Sequence, residues 1–345
     1  MRDETVSVII VNWNGLAVLP ACLAALRHQT RPPDEIILID NASTDGSADY
    51  VAREHPGVAL HRLRRNVGFA AGNNLGIAAS RGDLVVTVNN DTSADPWWLE
   101  ELCAPFAADP WLGATMSTML FASAPDRIAA AGLRVARNGV ALEDLAGYRY
   151  TGRRVAPRPI FGPSAGAAAY RRALLADIGC FDGDFFMYLE DVDLAWRARL
   201  RGWAAVHAPR ATIRHVYSAS SGQGSPFKSF HLARNRLWCL RKNLPAGLAR
   251  RHAAAIAAYD AAALLYALPR RDGASLRGRV AGLRGGDIMR KRRRVQAART
   301  VDDDALDRWL VPAPSPGEML RLRRLADRLA AGGVGRGPWA VGRGP

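Results

Sequence analysis

VSVIIVNWNG, residues 6–15, opens as a nearly unbroken apolar run of strand length, rich in β-branched residues, and passes directly into a polar turn. EIILID (35–40) leading into NASTDGS, and DLVVTVNND (83–91), repeat the same design. Apolar runs of this kind are buried on both faces, as parallel strands are. The intervening segments LPACLAALRHQ (19–29), DGSADYVAREH (45–55) and AAGNNLGIAAS (70–80) have helical character, and VALHRL (58–63) supplies a further short strand. Strand and helix in alternation predict an α/β fold with a mostly parallel central sheet, its first half a doubly wound nucleotide-binding unit.

Working outward, residues 97–218 are less regular. A helix is expected at WWLEELCAPFAAD (97–109), short strands near Ala114–Phe121 and a helix from Val192 to Arg201, while Asp144–Pro163 lacks periodicity and reads as a mobile loop. Beyond residue 218 a Ser/Gly segment (220–225) precedes several helices. Residues 270–299 hold eleven basic and two acidic side chains, and GGVGRGPWAVGRGP (332–345) has the composition of a flexible tail.

The chain of 345 residues is 49% hydrophobic and carries a net charge of +15, almost all from arginine, so it can bury a substantial core and suits phosphate-rich partners. No zinc-finger, RNP or helix-turn-helix pattern accompanies the arginines, which argues against nucleic acid. Four dispersed cysteines form no CxxC pair, so neither a zinc site nor a disulfide framework is expected. The first apolar run is too short for a cleaved secretion signal, and Ala253–Leu268, the longest apolar stretch, is short and contains Asp260. A soluble or peripheral protein is expected.

Open α/β sheets bind ligands beyond the carboxyl ends of their strands, which directs attention to VNWNG (11–15), DNASTDGS (40–47) and NND (89–91). Asp40 at its strand end admits two readings, a partner for a base or ribose, or a cap with Ser43 for the next helix. Asn89, Asn90 and Asp91 form either an Asx turn or, through the carboxylate, a site for a hard divalent cation beside a diphosphate. In FFMYLEDVDLAWR (185–197), Glu190, Asp191 and Asp193 suit a helix dipole, and a neighbouring acid pair also suits general-base chemistry. Asp193 stands four residues before Arg197 and is read as structural. His215 closes AAVHAPRATIRH (204–215), where a neutral imidazole can complete a metal shell.

These blocks, with RNVGFAAGNNLGI (65–77), FGPSAGAAAYRRALLADIGCFDGDFFMYLEDVDLAWRARLRGW (161–203) and HLARNRLWCLRKN (231–243), resemble glycosyltransferase family 2, and within it the rhamnosyltransferase-like branch, over about Val6–Pro245. The resemblance implies a GT-A-type fold over residues 1–218, with a nucleotide-sugar-binding half (1–96) and an acceptor and catalytic half (97–218). It is followed by a helical basic C-terminal appendage (219–300) and short helices with a flexible tail (301–345). It implies that Val11, Trp13 and Asp40 line the base and ribose pocket. Asn66, Gly68, Phe69, Asn73 and Asn74 would pack beside the donor, joined by Asn89 and Asn90. Asp91 and His215 would serve a divalent metal, Mg²⁺ or Mn²⁺. Asn89 stands where the broad family's DxD motif has its first Asp, as in the NxD form of this branch. Asp191 would be the catalytic base with Glu190 beside it, and Arg234 would face a phosphate. The implied activity is inverting transfer from a nucleotide sugar, dTDP-rhamnose by likeness, to a glycan or lipid-linked glycan acceptor. Its setting would be the cytoplasmic face of the plasma membrane, with the arginine-rich region on an anionic membrane surface or simply solvated. A UDP-sugar donor, or a non-catalytic sugar-nucleotide or glycan-binding protein, are the competing readings.

Overall fold

The computed structural model describes residues 4–152, 156–216, 225–285 and 287–331. The first half runs β1 (Val6–Asn12), α1 (Leu19–Arg27), β2 (Glu35–Asp40), α2 (Ser47–Glu54), β3 (Ala59–Arg62), α3 (Gly68–Ala79) and β4 (Leu84–Asn89). It continues through β5 (Thr92–Ala94), α4 (Trp98–Cys103), β6 (Leu112–Phe121), β7 (Ala124–Ala130), β8 (Leu133–Ala136), β9 (Ala141–Glu143), β10 (Arg158–Pro159) and β11 (Ala167–Arg171). Next come α5 (Arg172–Ile178), α6 (Glu190–Leu200), β12 (Ala204–His215), α7 (Pro226–Asn243), α8 (Ala246–Arg251) and α9 (Ala253–Ala267). The chain closes with α10 (Gly273–Arg284), α11 (Asp287–Ala297), α12 (Asp303–Asp307), β13 (Leu310–Val311) and α13 (Pro316–Ala331).

The main sheet has the order β10-β12-β6-β11-β4-β1-β2-β3. Strands β3, β2, β1 and β4 are mutually parallel, as their two-sided apolar character requires. Beyond β4 the sheet becomes mixed: β11 is antiparallel to both β4 and β6, and β12 is parallel to β6. The short strands expected near residue 114 are one strand, β6, buried along all of its length because β11 and β12 flank it and helices cover its faces. The segment expected as a mobile loop is tied down in its described parts. Arg127 bridges Arg149, β10 pairs with β12, and Leu133 bridges Gly162; residues 153–155 lie outside the described residues.

Two cores result. One spans the main sheet, from Ile9 and Val86 to Trp98 and Ile213. The other joins Phe185, Val192 and Trp196, around and within α6, to Cys239 of α7, Leu244, Leu248 of α8, Leu306 of α12 and Leu310 of β13. The C-terminal helices expected as an appendage therefore share a core with α6. The junction at residue 218, most of the Ser/Gly segment and the tail from 332 lie outside the described residues. No helix among the described residues is long and apolar enough to cross a membrane.

Candidate functional site

Beyond the carboxyl ends of β1, β2 and β4 lies a cavity of about 400 Å³. One part of its wall comes from the nucleotide-binding half: Val11, Trp13, Asn41, Asn66, Phe69, and Asn89 to Asp91. Trp13 is 41% exposed, a flat apolar surface presented to the cavity. Another part comes from the second half: Leu133, Leu142, Glu143, Tyr188, Glu190 and Asp191, with Lys228 and Leu232 of α7. The acids at 91 and 191, a hundred positions apart, thus face one space, with His215 beside the first.

Five residues assigned to the donor pocket do not line this cavity. Asp40 is 3% exposed and accepts from the Asn12 side-chain amide (3.3 Å) and the Ser43 backbone N–H (3.2 Å). It ties the end of β1 to the turn after β2 and does not cap α2, whose first turn follows Gly46 without a side-chain cap, so neither role offered by its sequence context is the one it has. Its neighbour Asn41 reaches the cavity instead, its amide donating to Asn66 Oδ1 (2.9 Å) while its own oxygen accepts from Val67 N (2.8 Å). Asn73 is buried against the carbonyl of Phe69, and Asn74 bonds the backbone of Phe181 in both directions. Gly68 has φ +85°, and a Cβ there would meet the carbonyl oxygen of Phe186 at 2.5 Å. It is glycine so that α3 can start against the loop that leads to Asp191.

Arg234 is the fifth. Its guanidinium donates to the carbonyls of Asp184 (3.1 Å) and Phe185 (2.9 Å), and burial pulls its pKa down. Beside it Asn235, fully buried, donates to the carbonyls of Phe185 (3.1 Å), Met187 (3.0 Å) and Tyr188 (2.7 Å). The clamp has a reason: Phe186, Tyr188 and Leu189 all have positive φ (64°, 69° and 63°), a region unfavourable for residues with side chains. The RN pair therefore holds the strained turn that delivers Glu190 and Asp191 to the start of α6. Sequence reading passed over Asn235 in this role, because its partners are carbonyls some fifty positions earlier.

The two acids differ in surroundings. Burial pushes the Glu190 carboxyl well above the usual range, the adjacent Asp191 charge adds to this, and Glu190 Oε2 is sealed from water and, among the described residues, has no hydrogen-bond partner. Burial raises Asp191 too, but the backbone N–H groups of Ala165 (3.2 Å) and Val192 (2.8 Å) donate to its two oxygens and favour the charged form. A proton held by the pair therefore resides on Glu190 and leaves Asp191 the charged member. Asp193 points the other way. Burial alone would raise it, but Lys242 Nζ (2.9 Å) and Arg197 Nε (2.9 Å), with Asn243, pull it down to about 2. Its structural role is as its spacing to Arg197 predicts.

Asp91 Oδ1 lies 3.1 Å from His215 Nε2, and the Asn89 amide lies 3.4 Å from the same nitrogen. The antiparallel pairing of β5 with β12, Thr92 against His215, brings them together. Among the described residues no group of three or more His, Cys, Asp or Glu could hold a metal ion, so this pair fits one only with oxygens from a bound substrate completing its shell.

The sequence model of glycosyl transferase family 2 matches residues 7–179, half of the chain, and covers both the NND turn and the strand that carries Gly166 into the cavity wall. The chain belongs to that family. It is a glycosyltransferase with a GT-A fold. N-acetylglucosaminyl-diphospho-decaprenol L-rhamnosyltransferase of Mycobacterium tuberculosis is 27% identical over 241 residues, covering 64% of this chain and 78% of the relative. Undecaprenyl-phosphate 4-deoxy-4-formamido-L-arabinose transferase of Serratia proteamaculans is 40% identical over 100 residues, 27% of this chain and 31% of the relative. The crystal structure of GalNAc-T7 with UDP, GalNAc and Mn²⁺ superposes with a TM-score of 0.57 at 18% identity, over 69% of this glycosyltransferase. The chain spans 48% of that solved structure, and the likeness at this identity is one of fold.

Proposed function

We propose that this glycosyltransferase moves a sugar, rhamnose from dTDP-rhamnose, onto a hydroxyl of a glycan or lipid-linked glycan acceptor with inversion at the anomeric carbon. The observation that carries the reading is the meeting of Asp91 and Asp191 at one cavity between two walls of different origin. Trp13, Asn41, Asn66 and Phe69 bind and orient the nucleoside. Asp91 and His215 would hold a divalent cation, Mg²⁺ or Mn²⁺, whose charge when bound balances that of the leaving diphosphate. Asp191 takes the proton from the acceptor hydroxyl as its oxygen attacks, and Glu190, holding its own proton, keeps the site from carrying a second negative charge. The rhamnosyl donor and the lipid-linked acceptor rest on the similarity to the mycobacterial relative.

For location we propose the cytoplasmic face of a membrane with anionic lipid. Leu265 and Leu268 at the end of α9, Val280 and Leu283 on α10 and Met289 on α11 are exposed, interspersed with exposed Arg270, Arg277, Arg284, Arg293 and Arg294. Other basic residues of this region work internally. Lys291 pairs with Asp182 (2.5 Å) and Asp184 (2.6 Å), Arg292 donates to the carbonyls of Arg241 and Leu244, and Arg279 pairs with Asp260 (2.6 Å).

The test is nucleotide release from a panel of dTDP-, UDP- and GDP-sugars, with and without Mn²⁺ or Mg²⁺, with Asp191→Asn as the control. Loss of general-base help costs about 10² to 10⁴ in turnover, with donor binding retained. Turnover of D191N within about threefold of wild type rejects the assigned base, given that expected loss.

A further inference from the structure

Glu143 is unclaimed by the reaction just described, yet it faces the same cavity. It ends β9, held in register by pairing with Leu133 of β8. Its Oε2 is sealed from water and, among the described residues, has no hydrogen-bond partner. Its immediate neighbour Asp144 is engaged by Arg158 (2.6 Å) and Arg134 (3.1 Å), so among the described residues cations contact one acid and not the other. Glu143 as a whole is half-buried at the wall; a sealed carboxyl oxygen without a partner is costly, and such atoms persist where a ligand completes them.

In the part of the cavity wall contributed by β8, β9, the turn before α6 and α7, Leu133, Leu142, Leu232 and Tyr188 accompany the Glu143 carboxyl group, an apolar surface with a polar point. That combination suits a pyranose, whose C–H face packs on apolar side chains while its hydroxyls seek a donor and acceptor pair. We propose that Glu143 is an acceptor-binding residue, its carboxyl group hydrogen-bonding a hydroxyl or acetamido group of the acceptor sugar and so setting which acceptor hydroxyl is presented to Asp191. This rests on the transferase reading above and adds a specificity residue to it.

The group's protonation suits that task. Burial, with the charges of Asp191 and then Asp144, pushes the Glu143 carboxyl up to about 8, against an opposing effect from Lys228 of α7. These three, with Arg134 and Arg158 behind Asp144, are the charged groups facing it. At neutral pH it is a neutral acid that both donates and accepts, as glutamine also does. Ionisation removes the donor and sets a second charge beside Asp191.

Binding of methyl β-N-acetylglucosaminide to full-length protein saturated with the donor nucleoside diphosphate and Mn²⁺ tests this by calorimetry, using wild type, E143Q and E143L. The expected result is sugar binding by wild type, affinity within about threefold in E143Q at pH 7, and a loss of about tenfold or more in E143L, with nucleotide affinity unchanged in all three. Between pH 7 and 9 wild type should lose sugar affinity while E143Q stays level, a comparison that holds even if E143L does not fold. No sugar binding by wild type, equal affinity in E143L, a loss confined to nucleotide, or a flat wild-type pH profile would each overturn the assignment. Failure of the transferase reading shows separately, as wild-type protein that neither binds nor cleaves any sugar nucleotide.

Discussion

Replacing Asn235 by alanine should disable the enzyme from a position outside the cavity lining. The Asn235 amide shares its two protons among three carbonyls of the turn before α6, and each proton's hydrogen bonding is worth about 1 kcal/mol net, so loss of the amide costs about 2 kcal/mol. Phe185 O keeps Arg234 as a donor, but Met187 O and Tyr188 O lose the Asn235 amide. Against the remaining contacts stand three residues at positive φ, each strained by about 1 to 3 kcal/mol, so the turn has reason to relax once released. A shift of about 2 kcal/mol in that local balance corresponds to a fall of about thirtyfold in the population that presents Asp191 correctly. Turnover should drop up to that far, while donor-nucleotide affinity, which we assign to Trp13, Asn41 and Asn66, stays put. N235D, similar in size but without the amide donor, should lose at least as much. The assays are steady-state transfer, nucleotide titration and hydrogen exchange of the amides at 186–191. Turnover within about threefold of wild type, or a matching loss of nucleotide affinity, would refute the clamp, since it predicts a large effect on one only.

Glu190→Gln should leave turnover within about fivefold at pH 7, because burial and Asp191 already keep Glu190 protonated; a loss as deep as that of D191N in the same assay would reverse the two roles. Asp193→Ala should destabilise the fold by about 3 to 5 kcal/mol in urea titration, since it leaves Lys242 and Arg197 buried without their shared partner. Asp193 is depressed below its ordinary value of 3.8, so its contribution is present above that pH and fades as pH falls through about 2; a wild-type minus D193A difference that grows toward acid would contradict it. Full-length protein should sediment with vesicles of anionic phospholipid at low salt and be released at high salt. Absence of salt-sensitive binding leaves the exposed arginines of α10 and α11 as a solvated face.

Much of the first half was legible from residue order alone. The runs at 6–11, 36–39 and 84–88 form buried strands because Ser7 and Thr87 are their only polar side chains, and strand ends in an open α/β sheet point to the ligand. Asp91, Asp191, Glu190 and His215 stood out for the same local reasons, and all four line the cavity. Asp193 was readable as structural from its four-residue spacing to Arg197.

What only tertiary structure decided is which polar residue of a cluster turns inward to the fold and which outward to the ligand. Asp40 and Asn41 are adjacent at a strand end, where side chains alternate between faces, and a hydrogen bond from Asn12 claims the first and leaves the second to the cavity. Arg234 reads as a phosphate ligand until the carbonyls of a strained turn some fifty residues earlier are seen to occupy it. Glu143 has no local signature, because its environment is assembled from β8, β9, α6 and α7. Periodicity and strand-end chemistry are properties of neighbours in the chain and so belong to the sequence; burial without a partner is a property of neighbours in space, and only the folded molecule contains it.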